Sequence, residues 1–108
     1  MKLFVVVTFD INDAQPRDYP GITTSLSQIY LQRTVHRDGQ PPIPLPYNTY
    51  AGTWTHASNA EAAIAHVRQT LALISQFEGL RGRAFISVSG DESRYEGVTF
   101  NLGNVQVM

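Results

Sequence analysis

At 108 residues the chain is long enough for one hydrophobic core and too short for two, so a single domain over 1–108 is expected, with its core over about 2–91 and a tail over 92–108. Hydrophobic residues at 43% against charged residues at 16% exclude overall disorder, and a net charge of −1 excludes the basic excess of proteins that hold nucleic acid mainly by its phosphates. Without cysteine there is no disulfide, thiol nucleophile or zinc–thiolate site, which fits a reducing, cytoplasmic location.

One lysine and a short apolar run broken at Thr8, with no cleavage-site pattern, argue against a signal peptide or a membrane span. Residues 2–11 have strong β propensity, and the nearly continuous run Leu3-Phe4-Val5-Val6-Val7 predicts a central strand, flanked on both sides and covered on at least one face. Residues 12–18 are turn chemistry. Asp18 is placed to cap a short helix, Pro20 is tolerated in its first turn, and Tyr19, Ile22, Leu26 and Ile29 form one apolar stripe. YLQRTVHR, 30–37, predicts a second strand, with Leu31, Arg33, Val35 and Arg37 on one face and Tyr30, Gln32, Thr34 and His36 on the other. Four of the six prolines then fall within 38–46, a loop or an arm.

NTYAGTWTH, 48–56, predicts a third strand in which Gly52 marks a bulge or a close backbone approach. Ser58 and Glu61 have capping-box spacing, followed by a helical stripe of Ala60, Ile64, Val67, Leu71, Ile74 and Phe77 that Gly79 should stop. RAFISVS, 83–89, predicts a fourth strand, turning at Gly90-Asp91. The tail from Arg94 has scattered β character, suited to adding an edge strand to the sheet or to a neighbouring subunit. The order β-α-β-β-α-β predicts an α+β, ferredoxin-like sandwich: a four-stranded antiparallel sheet, two helices on one face, and an additional C-terminal β-like tail.

Two constellations carry candidate chemistry. Asp10 ends the first strand, where a carboxylate can act as a base, bind Mg²⁺ with help from Asp13, Asp18 or a two-fold partner's copy, or simply bond the turn's backbone N–H groups. Arg33, His36 and Arg37 form an acid-free cationic cluster that can hold phosphate and move protons, or merely face solvent. Arginine, histidine and a base together suffice for metal-free RNA cleavage by the 2′-hydroxyl. Tyr47, Tyr50 and Trp54 offer either stacking platforms for unpaired bases or core packing. His56 and His66, ten apart, lack metal-ligand spacing and read as a loop residue and a solvated helix residue. The sequence has no phosphate-binding glycine loop and no nucleophile elbow.

Taken jointly, VVVTFDI, RDY opening a helix, LQRTVHRDG, a proline-bearing LP and the closing ISVSGD resemble the GhoS family over about residues 3–91. That family comprises small endoribonuclease antitoxins of type V toxin–antitoxin systems, and its fold resembles the small CRISPR-associated nuclease that works as a dimer. The resemblance implies single-stranded RNA as a partner, a homodimer, RNA contact by Arg33, and, from the CRISPR-associated side, a dimeric Mg²⁺ site at Asp10. The expected site is then Asp10 and His36 as catalytic groups, with Arg33, Arg37 and Tyr50 holding the nucleic acid. The competing expectation is a non-catalytic dimeric module that assembles through its sheet edge and tail.

Overall fold

The structure, a computed structural model, describes residues 2–36 and 38–108. It is α+β: two helices, a five-stranded antiparallel sheet and a separate two-stranded ribbon. The elements are β1 (Leu3–Ile11), α1 (Tyr19–Ser27), β2 (Thr34–Val35), β3 (Ile43–Pro44), β4 (Thr49–Trp54), α2 (Ala60–Glu78), β5 (Arg81–Ser89), β6 (Arg94–Asn101) and β7 (Asn104–Val107). The main sheet runs β4-β1-β5-β6-β7, and β2 and β3 form the ribbon. No helix among the described residues is long and apolar enough to cross a membrane.

β1 lies second in the sheet, between β4 and β5, as its apolar run predicts. Side chains alternate across a strand, and here the alternation separates two environments. Leu3, Val5, Val7, Phe9 and Ile11 are buried beneath the helices, while Phe4, Val6, Thr8 and Asp10 point to the other face. Ala84, Ile86 and Val88 of β5 continue the covered face, joined by Val98 and Phe100 of β6. Ile22 and Leu26 of α1 and the stripe Ala60, Ala63, Ile64, Val67, Leu71 and Ile74 of α2 close that core. Phe77, expected to end the stripe, is exposed instead, while Ile74 and Ser75 are the last buried residues of the helix.

The helix ends differ from expectation in instructive ways. Asp18 does not cap α1; its carboxylate accepts from the Gln15 backbone N–H at 2.8 Å and closes a short 3-10 turn over Pro16–Asp18. α2 is capped by Asn59, whose side chain accepts from the Ala62 N–H at 2.8 Å, one residue later than the expected Ser58. Glu61 then sits in the first turn, where the helix dipole favours a negative charge. Gly79, with φ 67°, ends the helix as predicted.

The expected second strand is shorter than its sequence suggests. Tyr30 is left-handed (φ 64°), and the Leu31 N–H reaches back to the Leu26 carbonyl at 3.0 Å, so residues 28–31 are the exit of α1. Leu31 is consequently buried in the core rather than displayed on a strand face. Gln32 then makes a two-way backbone bridge with Ala51 on the outer edge of β4, 2.9 Å in each direction. Gly52 is the close approach: a Cβ there would lie 1.9 Å from the Tyr30 carbonyl oxygen. The proline-rich segment supplies β3, in which Pro44 pairs with Thr34 and, lacking an N–H, suits a peripheral ribbon.

The four-stranded expectation is corrected by residues 94–107. They form a hairpin along the free edge of β5, so the sheet has five strands. Leu102 and Gly103 turn it, both with positive φ, matching the twist of a tight hairpin. The turn is fastened to the end of α2: the Leu102 N–H donates to the Leu80 carbonyl at 3.0 Å, and the Gly103 N–H donates to the buried Ser75 Oγ at 2.9 Å.

Candidate functional site

The helices cover one face of the sheet and leave the other open. On that open face β1 contributes Phe4, Val6 and Thr8, β5 contributes Phe85 and β6 contributes Tyr95. Phe85 is 40% exposed, Tyr95 77% and Met108 72%, an unusual amount of apolar surface on central strands. Register explains the grouping. Phe85 stands opposite Gly97, which has no side chain, so Tyr95 two pairs further along reaches it diagonally, with ring centroids 5.7 Å apart and planes tilted by 60°. Met108, whose N–H donates to the Gly97 carbonyl at 2.9 Å, lays its side chain over the same gap. A shallow hollow of about 400 Å³ results, lined by Thr8, Asp10, Arg83, Phe85, Gly97 and Met108.

Asp10 therefore sits on the open face beside this hollow. It pairs across the strands with Arg83, 3.6 Å between Oδ2 and a guanidinium nitrogen, both side chains well exposed. A pair so hydrated contributes little to stability. Asp13 and Asp18 do not join it; they line a different hollow of about 560 Å³ with Arg17, Glu78 and Arg81. Among the described residues no three His, Asp or Glu side chains gather as a metal-ligand set. One carboxylate facing a guanidinium does not fit Mg²⁺ within a single chain.

The cationic cluster lies elsewhere. Arg33 is exposed, and its backbone carbonyl accepts from the Leu45 N–H at 2.8 Å, fixing the start of the β2–β3 ribbon. The Tyr47 phenol nearby is raised above its ordinary pKa, first by hydrogen bonding with Tyr19, with Arg33 acting in the opposite sense. His36 lines a groove of about 340 Å³ with Phe4, Tyr30, Gln32, Thr34 and Thr53. Tyr30, Gln32, Thr34 and His36 all line it, but so does Val35, which the alternation puts on the opposite face. Arg37 lies outside the described residues.

The groove of His36 and the hollow of Asp10 share no residue. Phe4, at the His36 groove, and Asp10 are six positions apart on β1, about 20 Å at strand rise. The expected convergence of Asp10 with His36 on one site is not made within the chain.

Tyr50 is corrected outright as a base-stacking residue. It is 2% exposed, its ring stacks on Phe9 at 5.6 Å, and its hydroxyl shares a 2.7 Å hydrogen bond with the Thr23 hydroxyl of α1. Its parity on β4 turns it, like Trp54, towards the helices. Among the described residues the exposed aromatics are Phe4, Tyr30, Tyr47, Phe77, Phe85 and Tyr95, of which Phe4, Phe85 and Tyr95 stand on the open sheet face.

One grouping escaped the linear reading. Trp54 is buried at the end of β4, and both His56 and His66 pack on its indole, with centroids 4.6 and 5.2 Å away. The imidazoles are 5.7 Å from each other, and Tyr30 lies 5.8 Å from His56. Its only sequence signal was parity: residue 56 follows 54 on the same side of an extended chain, and residue 66 lies in the helix that returns over it. No family model, no curated protein and no solved structure matches this chain.

Proposed function

We propose that this chain is a ferredoxin-like interaction module that pairs with a second copy of itself through the open face of its sheet. The observation that carries the reading is the apolar surface of Phe4, Phe85, Tyr95 and Met108, on the face opposite the two helices. Support for the ferredoxin-like description comes from the single bridge at Gln32, then β4, β1 and β5, lying side by side, with α1 and α2 as the two connections and β6–β7 as an extension.

A second copy suits this face better than a polyanion does. Beside its aromatic surface Asp10 and Arg83 pair with each other, so the patch is mainly apolar rather than a run of cations for phosphates. The same two charges are self-complementary about a two-fold axis, since Asp10 of one copy can meet Arg83 of the other in both directions. Five strands about 4.8 Å apart and about 20 Å long present roughly 500 Å² per copy, so a face-to-face pair buries roughly 1,000 Å², the lower limit of a specific interface. A cytoplasmic location belongs to the same proposal and rests on the cysteine-free composition.

Sedimentation or light scattering tests the pairing. The wild-type chain is expected at twice its 12.0 kDa mass, and Phe85→Asp and Tyr95→Asp at the single mass with an unchanged far-UV spectrum. A wild-type protein that stays single at high concentration removes the proposal.

The GhoS-like endoribonuclease reading keeps one specific observation in its favour. His36 shares a groove with exposed Tyr30, Gln32 and Thr34, and Arg33 stands next to it in the chain. An imidazole, amide and hydroxyl groups and an open ring are what unpaired RNA uses for contact. On this reading His36 moves the proton, Arg33 meets phosphate, and Asp10 stands apart. Cleavage of a labelled mRNA fragment that survives EDTA and is lost in His36→Ala and Arg33→Ala supports it. Activity no higher than that of a mock preparation removes it.

A further inference from the structure

We propose that His56 and His66 together bind one divalent transition-metal ion of the imidazole-preferring class, such as Ni²⁺, Cu²⁺ or Zn²⁺, at the Trp54 end of the molecule. This site is separate from the open sheet face, and Tyr30, 5.8 Å from His56, stands between it and the His36 groove.

Two imidazoles on a common tetrahedral ion, with metal–nitrogen bonds of about 2.0–2.1 Å, have ring centroids about 5 Å apart. The observed centroid spacing is 5.7 Å, within an ångström of that figure, with the ring planes at 83°. The rings are held near that arrangement without metal. His66 projects from the long helix α2 and is half-buried, His56 follows β4 in an exposed segment, and the Trp54 indole backs both. A fixed helix residue and an adjustable, solvent-reached one suit an ion that must enter from water.

The indole adds a second observation. Trp54 is 1% exposed and its Nε1–H meets no protein acceptor, so the indole beside the two imidazoles carries a buried, unpartnered donor. Neutral imidazole is a good ligand for Ni²⁺, Cu²⁺ and Zn²⁺ and a poor one for Mg²⁺ or Ca²⁺, so the site selects by ligand type. With half the ligands of a four-coordinate structural site, its dissociation constant is expected roughly between micromolar and a hundred micromolar.

Trp54 is the sole tryptophan and reports occupancy directly, because Ni²⁺ held by rings in contact with it quenches its emission. Untagged protein titrated with NiCl₂ near pH 7.5 should show saturable, one-to-one quenching, while MgCl₂ leaves the emission unchanged. His56→Gln and His66→Gln should each weaken binding by about tenfold or more, and His36→Gln should not. His56→Gln alters an exposed side chain and keeps the test valid should His66→Gln melt early. Quenching that never saturates, that persists unchanged in His56→Gln, or that disappears in His36→Gln overturns the proposal.

Discussion

Replacing Ser75 by alanine tests whether the C-terminal hairpin belongs to the fold or merely follows it. The Ser75 side chain is buried, its hydroxyl donates to the Ala72 carbonyl at 3.0 Å, and the same oxygen accepts the Gly103 N–H at 2.9 Å. The substitution leaves a small void and, more importantly, an amide in a partly buried turn without an acceptor. Such a loss costs about 1–3 kcal/mol. At this chain length about 1 kcal/mol moves the melting temperature by about 4 °C, so a fall of about 4–12 °C is expected. Thermal melting gives the magnitude, and amide hydrogen exchange gives the place: Gly103 and Leu102 should lose protection before β1 does. An unchanged melting temperature with unchanged protection at Gly103 would refute the reasoning, since the turn would then be held by something other than Ser75.

Three further substitutions separate neighbouring explanations. Asn59→Ala should destabilise by about 1 kcal/mol in denaturant unfolding and Ser58→Ala by much less; the reverse order would return the cap of α2 to Ser58. Gly52→Ala should cost about 1–3 kcal/mol, because the new methyl meets the Tyr30 carbonyl oxygen, and a neutral result would contradict the close approach. Asp10→Asn should change monomer stability by less than about 0.5 kcal/mol, because its pairing with Arg83 is exposed; a larger loss in unfolding assays would show a buried or ligating role.

Long, regular patterns were the legible part of this sequence. The run Leu3–Val7 and the stripe from Ala60 to Ile74 each bury one face, so strand and helix periods show directly in the residues. The second strand misled because a helix exit and a strand start share the stretch Tyr30–Gln32; only the left-handed Tyr30 and the buried Leu31 reveal the break. The tail looked optional because its core contribution rests on two residues, Val98 and Phe100, separated by an exposed threonine. With both buried, deleting residues 95–108 would remove core as well as edge. Asp10 was legible as a strand-end residue, but its exposure was not, and its distance from His36 depends on where the chain leaves the sheet after Gln32, which no local pattern encodes. The His56–His66 contact depends on α2 folding back over β4, a tertiary event that spacing along the chain does not express.

Amide chemical shifts followed through dilution test most directly whether the open sheet face is the working surface. Concentration-dependent shifts should gather at Phe4, Thr8, Phe85 and Tyr95 and leave Leu73 and Phe77, equally apolar and exposed on α2, unmoved. Shifts that gather at Leu73 and Phe77, or a spectrum indifferent to concentration with the mass of a single chain, would contradict it.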